Sequence, residues 1–271
     1  ISKSVEIKRE YIEANKSKEE EQNEFIMGIV TPIVIFPFFM LITLVVQMVG
    51  AEINEEKSTR SMEIIISNVP AKVHFFSKIL AANLFVIIQC ALLGLYSIIG
   101  MLLRGGKSLD SIQNVDVISN VTSGMDITGM INNLVGYIPL VLILMAVTLL
   151  GYSLLAGILA SMTTNMEDFQ QLQTPIFVVS LVGFYLAIMN TMFDGAIFIR
   201  VLSYVPFISA ILSPSLLVTG VIGFKDIILS ILLMVVVIYL LLKYGLKIYK
   251  EGILNYSSNK LWKKMLKALK H

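Results

Sequence analysis

The residue types able to do chemistry crowd one stretch, EINEEKSTRSMEIIISNVPAKVHFFSK, from Glu52 to Lys78. Four carboxylates (Glu52, Glu55, Glu56, Glu63) and two cations (Lys57, Arg60) open it. What they offer is ion pairing: Glu56 precedes Arg60 by four positions, the favourable order on a helix. Met62, Ile65, Ile66 and Val69 then fall at i, i+3, i+4 and i+7, one face of a short helix. Asn68-Val69-Pro70 ends it, because proline blocks the next turn. Such a piece is either a solvated loop helix or a rigid lever lying along a membrane face and gripped by a soluble partner.

A second polar cluster follows at Thr164-Asn165-Met166-Glu167, which reads as a capping box with Thr164 as the cap and Glu167 reaching back. Asp168, Gln170 and Gln171 continue it, and acids at a helix start suit the macrodipole. Elsewhere the signals fail. Arg104-Gly105-Gly106-Lys107-Ser108 suggests a phosphate loop, but Met101 stands where the opening glycine belongs and no strand precedes it. Asn120-Val121-Thr122 is a formal glycosylation triplet. The lone Cys90 lies within an apolar run and reads as a small buried residue, and no metal or haem spacing occurs.

These clusters must be positioned by membrane helices. The chain has 271 residues, 56% hydrophobic and 15% charged, with mean hydropathy +0.81. Soluble domains are about a quarter charged, so a membrane-free enzyme is excluded. Five segments reach the roughly 20 apolar residues that cross a bilayer as a helix: approximately Phe25–Gly50, Phe75–Leu103, Leu134–Met162, Pro175–Phe193 and Ile227–Tyr249. Long Leu-, Ile- and Met-rich runs without alternation exclude a barrel. The span centres hold no Asp, Glu, Lys, Arg or His, which argues against a carrier driven by its own ion gradient. Milder groups (Thr43, Gln47, Asn83, Gln89, Thr148, Tyr152, Ser180, Asn190) suit helix–helix hydrogen bonds.

Basic residues set the orientation. With Lys57, Arg60, Lys72, Lys78 and the lysines after Leu242 inside, the C-terminus is cytoplasmic. Five spans then leave the start outside, so a further span and an outer domain are expected ahead of Ile1. The layout reads as a polar tail (1–24), a transmembrane domain (25–249) and a basic interfacial helix (250–271). In the last, Leu261, Trp262, Met265, Leu266 and Leu269 oppose lysines, a pattern suited to anionic inner-leaflet lipids. Ile197–Gly223, broken by Pro206 and Pro214, reads as two short helices dipping in from outside. Pro32, Pro37 and Pro139 fall in the same outer half, where kinks are expected. Ala156, Gly157, Ala160 and Ser161 permit close helix contact. Nothing points to nucleic acid.

In order, three motifs resemble the type-2 ABC exporter permeases, in particular their NatB-like branch. Glu55-Glu56-Lys57-Ser58-Thr59-Arg60-Ser61-Met62-Glu63-Ile64-Ile65-Ile66-Ser67 is similar to that family's coupling stretch, with Pro70 and Ser77-Lys78 after it. Glu167 through Pro175 is similar to its second inner connection. Tyr204-Val205-Pro206-Phe207-Ile208-Ser209 with Ser213-Pro214 is similar to its outer broken-helix segment. The resemblance covers about Phe25 to Tyr249. It implies an all-α polytopic membrane bundle, five of its six spans visible here, with an amphipathic coupling helix and a re-entrant outer segment. It also implies a bacterial plasma-membrane permease subunit, a second permease protomer and a separate cytosolic ATPase that binds ATP and Mg. Met62, Ile65, Ile66 and Val69 would pack on that ATPase, with Glu55, Glu56, Lys57, Arg60 and Glu63 setting register. No cofactor or metal is bound by the permease itself. The cargo would be sodium, a peptide, an antibiotic or a lipid-like compound. A non-transporting scaffold or regulatory subunit is the alternative; a passive pore lacks a charged or filter-like ring.

Overall fold

The longest element is α1 (Lys18–Ser58), 41 residues in one unbroken helix. At 1.5 Å per residue it extends about 60 Å, roughly twice a hydrocarbon core. In this computed structural model the described backbone comprises 18–103, 136–190, 197–218 and 220–256. The tail before residue 18, residues 104–135 with the phosphate-loop-like and glycosylation motifs, and the lysine-rich stripe after residue 256 lie outside it. Residues 18–24, read from sequence as a separate polar tail, continue into the first span.

After α1 come α2 (Ser61–Asn68), α3 (Ala71–Leu103), α4 (Ile138–Met162) and α5 (Met166–Ile188). Two short helices follow, α6 (Ile197–Leu202) and α7 (Ser209–Val218), then α8 (Phe224–Leu240). A wide turn of π geometry (Leu241–Gly245) leads to α9 (Leu246–Ile253), which completes the last span. Among the described residues five helices are long and apolar enough to cross a membrane. The molecule is an all-α polytopic membrane bundle.

The bundle is built around α4, buried almost without interruption from Leu144 to Met162. Along α1, Ile35, Ile42, Val46, Val49 and Ile53 recur on one stripe and are all buried, the spacing that turns one helical face inward. Between apolar helices in lipid, close packing replaces hydrophobic drive, and small residues supply it. A Cβ on Gly157 of α4 would stand 2.9 Å from the Phe75 ring. One on Gly245 would stand 2.1 Å from Ile158. Among the described residues, the third helix is buried along its first half, through Phe75, Ile79, Ala82, Asn83 and Val86. Farther along it exposes Leu84, Ile87, Ile88 and Leu92. Cys90, read from sequence as buried, is exposed on that same length, because α3 leaves the bundle there.

The helices α6 and α7, too short to cross, form a re-entrant hairpin. Tyr152 donates from the middle of α4 to the Phe207 carbonyl at 3.0 Å. That places the hairpin turn about 21 Å along α4 from Ile138. Pro206 sits in this turn and Pro214 inside α7. Ser209 through Leu217 are all buried. Ser215 of this segment donates to the Ala187 carbonyl at the end of α5 at 2.8 Å, and Ser230 of α8 donates to the Ser203 carbonyl of the turn at 3.0 Å. The buried Ser209 hydroxyl, by contrast, has no partner among the described residues. Serines thus tie the hairpin to the helices on either side of it.

Candidate functional site

The reversal after α1 is made by Ser58, Thr59 and Arg60. The Ser58 and Thr59 hydroxyls both donate to the Glu55 carbonyl, at 3.0 and 2.8 Å, offering the backbone an alternative to another helical turn. Arg60 then takes the left-handed conformation at φ 58°, uncommon for a residue with a Cβ, and α2 starts. Its last turn is closed by Asn68, whose amide donates to the Ile64 carbonyl at 2.8 Å, and Val69 is extended ahead of Pro70.

The apolar face of α2 is where the periodicity put it but not against what the sequence suggested. Met62 is 0% exposed and seated in the chain's own core, with Ile66 packed against the same core. Ile65 and Val69 are half-buried. The outward side carries Glu63, Ser67, Asn68 and Ile64, the last 70% exposed. Met62 is therefore not an outward docking residue. A four-residue run with three isoleucines has an apolar residue on every side, and burial took one side of it.

The charges divide in the same way. Glu55, Arg60 and Glu63 are exposed. Glu56 does not bond Arg60, which sits beyond the end of α1 and cannot act as its i+4 neighbour. Instead Glu56 meets His74 Nε2 at 2.8 Å and Lys78 Nζ at 2.7 Å, and Lys78 also reaches Glu52 at 3.2 Å. His74 continues through Nδ1 to the Tyr249 hydroxyl at 2.7 Å, joining α1 and α3 to α9. Tyr249 packs on Phe75, ring centroids 4.4 Å apart.

Lys57 departs furthest from its reading as a surface charge. It is 0% exposed, and its ammonium donates to two backbone carbonyls, Ser161 and Gly252 at 2.7 Å. These lie in the last turns of α4 and α9, where carbonyls have no partner within the helix and the helix dipole is negative. Past α9, the Tyr256 ring lies 6.0 Å from the Lys57 ammonium. Partial burial pushes the Tyr256 phenol up from its ordinary value, and the negative charge of the nearby Glu63 carboxylate adds to the shift.

The second cluster lies at this same end. The cap of α5 is Asn165, whose side chain accepts from the Asp168 backbone N–H at 2.8 Å. Thr164, the expected cap, is displaced by one residue, since either side chain can accept that bond. Neighbouring Thr163 is buried and donates to Asn54 of α1 at 2.9 Å. Phe169 fills the space over Gly50, where a Cβ would stand 1.9 Å from its ring. Glu167, Gln170 and Gln171 are exposed and Asp168 half-buried. Both sequence-predicted clusters and the end of the last span therefore share one end of the bundle. Sequence reasoning missed His74, Ser161, Tyr249, Gly252 and Tyr256. The spacing of Gly245 and Gly252, seven residues apart on one helical face, is the signal that could have found the α4–α9 contact.

At the opposite end, Arg200 of α6 bonds Asp226 of α8 at 3.0 Å, and Asp226 accepts from the Gly223 N–H at 2.8 Å and from Tyr204. The Asp226 carboxylate and the Tyr204 hydroxyl hold the Arg200 guanidinium above its ordinary pKa. Among the described residues no three His, Cys, Asp or Glu side chains gather to hold a metal.

The comparisons agree with this architecture. Uncharacterized protein YhaP of Bacillus subtilis is 31% identical over 259 residues, covering 94% of this chain and 58% of its own length. Uncharacterized protein MJ1024 of Methanocaldococcus jannaschii is 26% identical over 259 residues, covering 93% of this chain and 57% of its own. The chain thus spans somewhat over half the length of these relatives. No solved structure matches it. Residues 2–245 match the family described as ABC-2 family transporter protein; with five apolar helices and an ordered polar end, the chain belongs to that family as its membrane component.

Proposed function

We propose that the chain is the permease part of an ATP-driven exporter, and that a separate cytosolic ATPase docks on α2. The observation that carries the reading is Ile64, 70% exposed on a helix ringed by charge just past the end of an apolar span. Burying such a side chain is worth about 1.5–3 kcal/mol, so it suits the centre of a contact whose rim is Glu63, Arg60 and Lys72. Val73, in the first turn of α3, is 55% exposed and enlarges the apolar surface. Glu167, Gln170 and Gln171 offer a second, polar contact on the same end.

The mechanism follows from what α2 rests on. ATP-driven closure of the partner would push a helix whose Met62 is locked into the bundle, so the push passes to the inner ends of α1 and α3. The span centres hold no ionisable residue of their own, which fits energy arriving from a partner. At the far end the re-entrant hairpin, held by hydroxyl-to-carbonyl bonds, is the part suited to open. We place the α2 end and the C-terminus in the cytoplasm of a bacterial cell, from the lysine distribution. A second permease protomer completes the pathway, and the lysine-rich end meets anionic lipids. The NatB-like motifs favour sodium as cargo over a peptide, antibiotic or lipid, and flux into vesicles holding the permease and its ATPase decides among them.

Ile64→Asp is the direct test. It should release the ATPase from the affinity-purified permease while leaving the permease itself soluble in detergent and monodisperse. Undiminished co-purification would sink the docking reading and favour a non-transporting scaffold.

A further inference from the structure

We infer that Lys57 is a positioning residue that fastens the inner ends of α4 and the last span to the docking hairpin, so that nucleotide-driven movement of α2 is passed to both. The inference rests on the proposed docking of an ATPase at α2 and extends the moving body beyond α1 and α3.

The geometry is specific. Lys57 is in the last turn of α1, just ahead of the reversal that launches α2. Its two acceptors occupy equivalent places, each the next-to-last residue of its helix: Ser161 in α4 and Gly252 in α9. One ammonium can serve both only if the two helix ends nearly touch. They do so because residue 252 is glycine: a Cβ there would stand 2.8 Å from the Ser161 carbonyl oxygen and 2.6 Å from its hydroxyl. Lysine is strongly hydrated and rarely buried without partners, so its complete burial ties α1 to wherever those two carbonyls go.

Two further contacts point the same way. Tyr256, just past α9, lies near the Glu63 carboxylate of α2 and 6.0 Å from the Lys57 ammonium. Tyr249 of α9 joins the His74–Glu56 chain. Above these contacts the last span is interrupted by the wide turn at Leu241–Gly245, a place where helices bend. The inner segment of the last span is thus tied to the hairpin below and jointed to the membrane segment above.

Hydrogen exchange on the permease–ATPase complex tests this, comparing the nucleotide-free complex with one trapped by Mg-ATP and vanadate. In the wild type, amides of both 61–68 and 246–255 should change protection on trapping. Lys57→Met keeps the apolar stem and removes the ammonium. It should leave the response of 61–68 intact and cut that of 246–255 about tenfold. Lys57→Arg, which retains charge and donors, should restore it. Gly252→Val, which forces α9 off Ser161 with Lys57 still present, should reproduce the loss and serves if Lys57→Met does not fold. Persistence of the 246–255 response in either Lys57→Met or Gly252→Val overturns the inference while the docking reading stands. If 61–68 is silent in the wild-type complex, both fall.

Discussion

The two ends of the bundle solve one electrostatic problem in opposite settings. At the α2 end a cation, Lys57, sits against the negative ends of α4 and α9. At the re-entrant end an anion, Asp226, sits at the positive start of α8, taking the Gly223 N–H. Both match charge to helix dipole. They differ in solvent access: Lys57 is fully buried, whereas the Asp226 side chain is 13% exposed and its partner Arg200 53%. Water screens the Arg200–Asp226 pair more than it screens the Lys57 contacts. The contrast teaches which end is built to hold its shape. The α2 end fixes three helices, α1, α4 and α9, to one another through a residue that cannot be rearranged cheaply, and the re-entrant end is held by contacts that solvent can partly replace.

The sharpest way to break the comparison is Lys57→Met. Removing the ammonium leaves the Ser161 carbonyl without that donor, whereas the Gly252 carbonyl keeps the Asn255 N–H at 3.1 Å. An unmet buried group costs about 1–3 kcal/mol, so the purified permease should lose about 1–3 kcal/mol, read as a lower thermal midpoint in detergent. The loss should be nearly the same at low and at high salt. A midpoint within a degree of wild type would mean that the α2 end tolerates rearrangement after all.

Next comes Tyr152→Phe, which probes the ground between the two ends. The hydroxyl donates to Phe207 and accepts from Ser180 at 2.8 Å, and Phe207 itself is held at φ 74°. Losing the bond to the Phe207 carbonyl should cost about 1 kcal/mol, because Ser180 can still donate to the Ile176 carbonyl at 3.1 Å. Faster exchange should be confined to 203–208, the turn that bond supports, while 246–255 stays as protected as before. Spread of the effect to the α2 end would erase the distinction between the regions.

Much of this was readable in advance, for identifiable reasons. Hydropathy located every span because twenty apolar residues have few other fates, and broken runs with Pro206 and Pro214 announced a hairpin too short to cross. The existence of α2 followed from its spacing. Its orientation did not, because periodicity defines a face without saying whether the chain or a partner covers it; Met62 turned inward and Ile64 outward. The Glu56–Arg60 pair failed because the chain reverses at Arg60, so the two do not share a helix. Lys57 was illegible for a deeper reason. Within a charged run it looks solvated, and its acceptors stand 104 and 195 positions away. Only the convergence of two helix ends, permitted by Gly252, makes burial possible there.

The smallest effect, and the most discriminating against the first, belongs to Asp226→Asn. The amide can still accept from one neighbour, but it no longer offers charge to the α8 terminus or to Arg200. A helix-terminal charge in a solvent-reachable place contributes under about 1 kcal/mol, so the thermal midpoint should fall only slightly. Salt decides the interpretation. At 1 M the screening length shrinks to about 3 Å, and the difference between Asp226→Asn and wild type should close, whereas the deficit of Lys57→Met should persist. Should the outer substitution prove as costly as the inner one, or equally blind to salt, then Asp226 is shut away from water in the folded protein, and the re-entrant end is as rigid a joint as the end that carries α2.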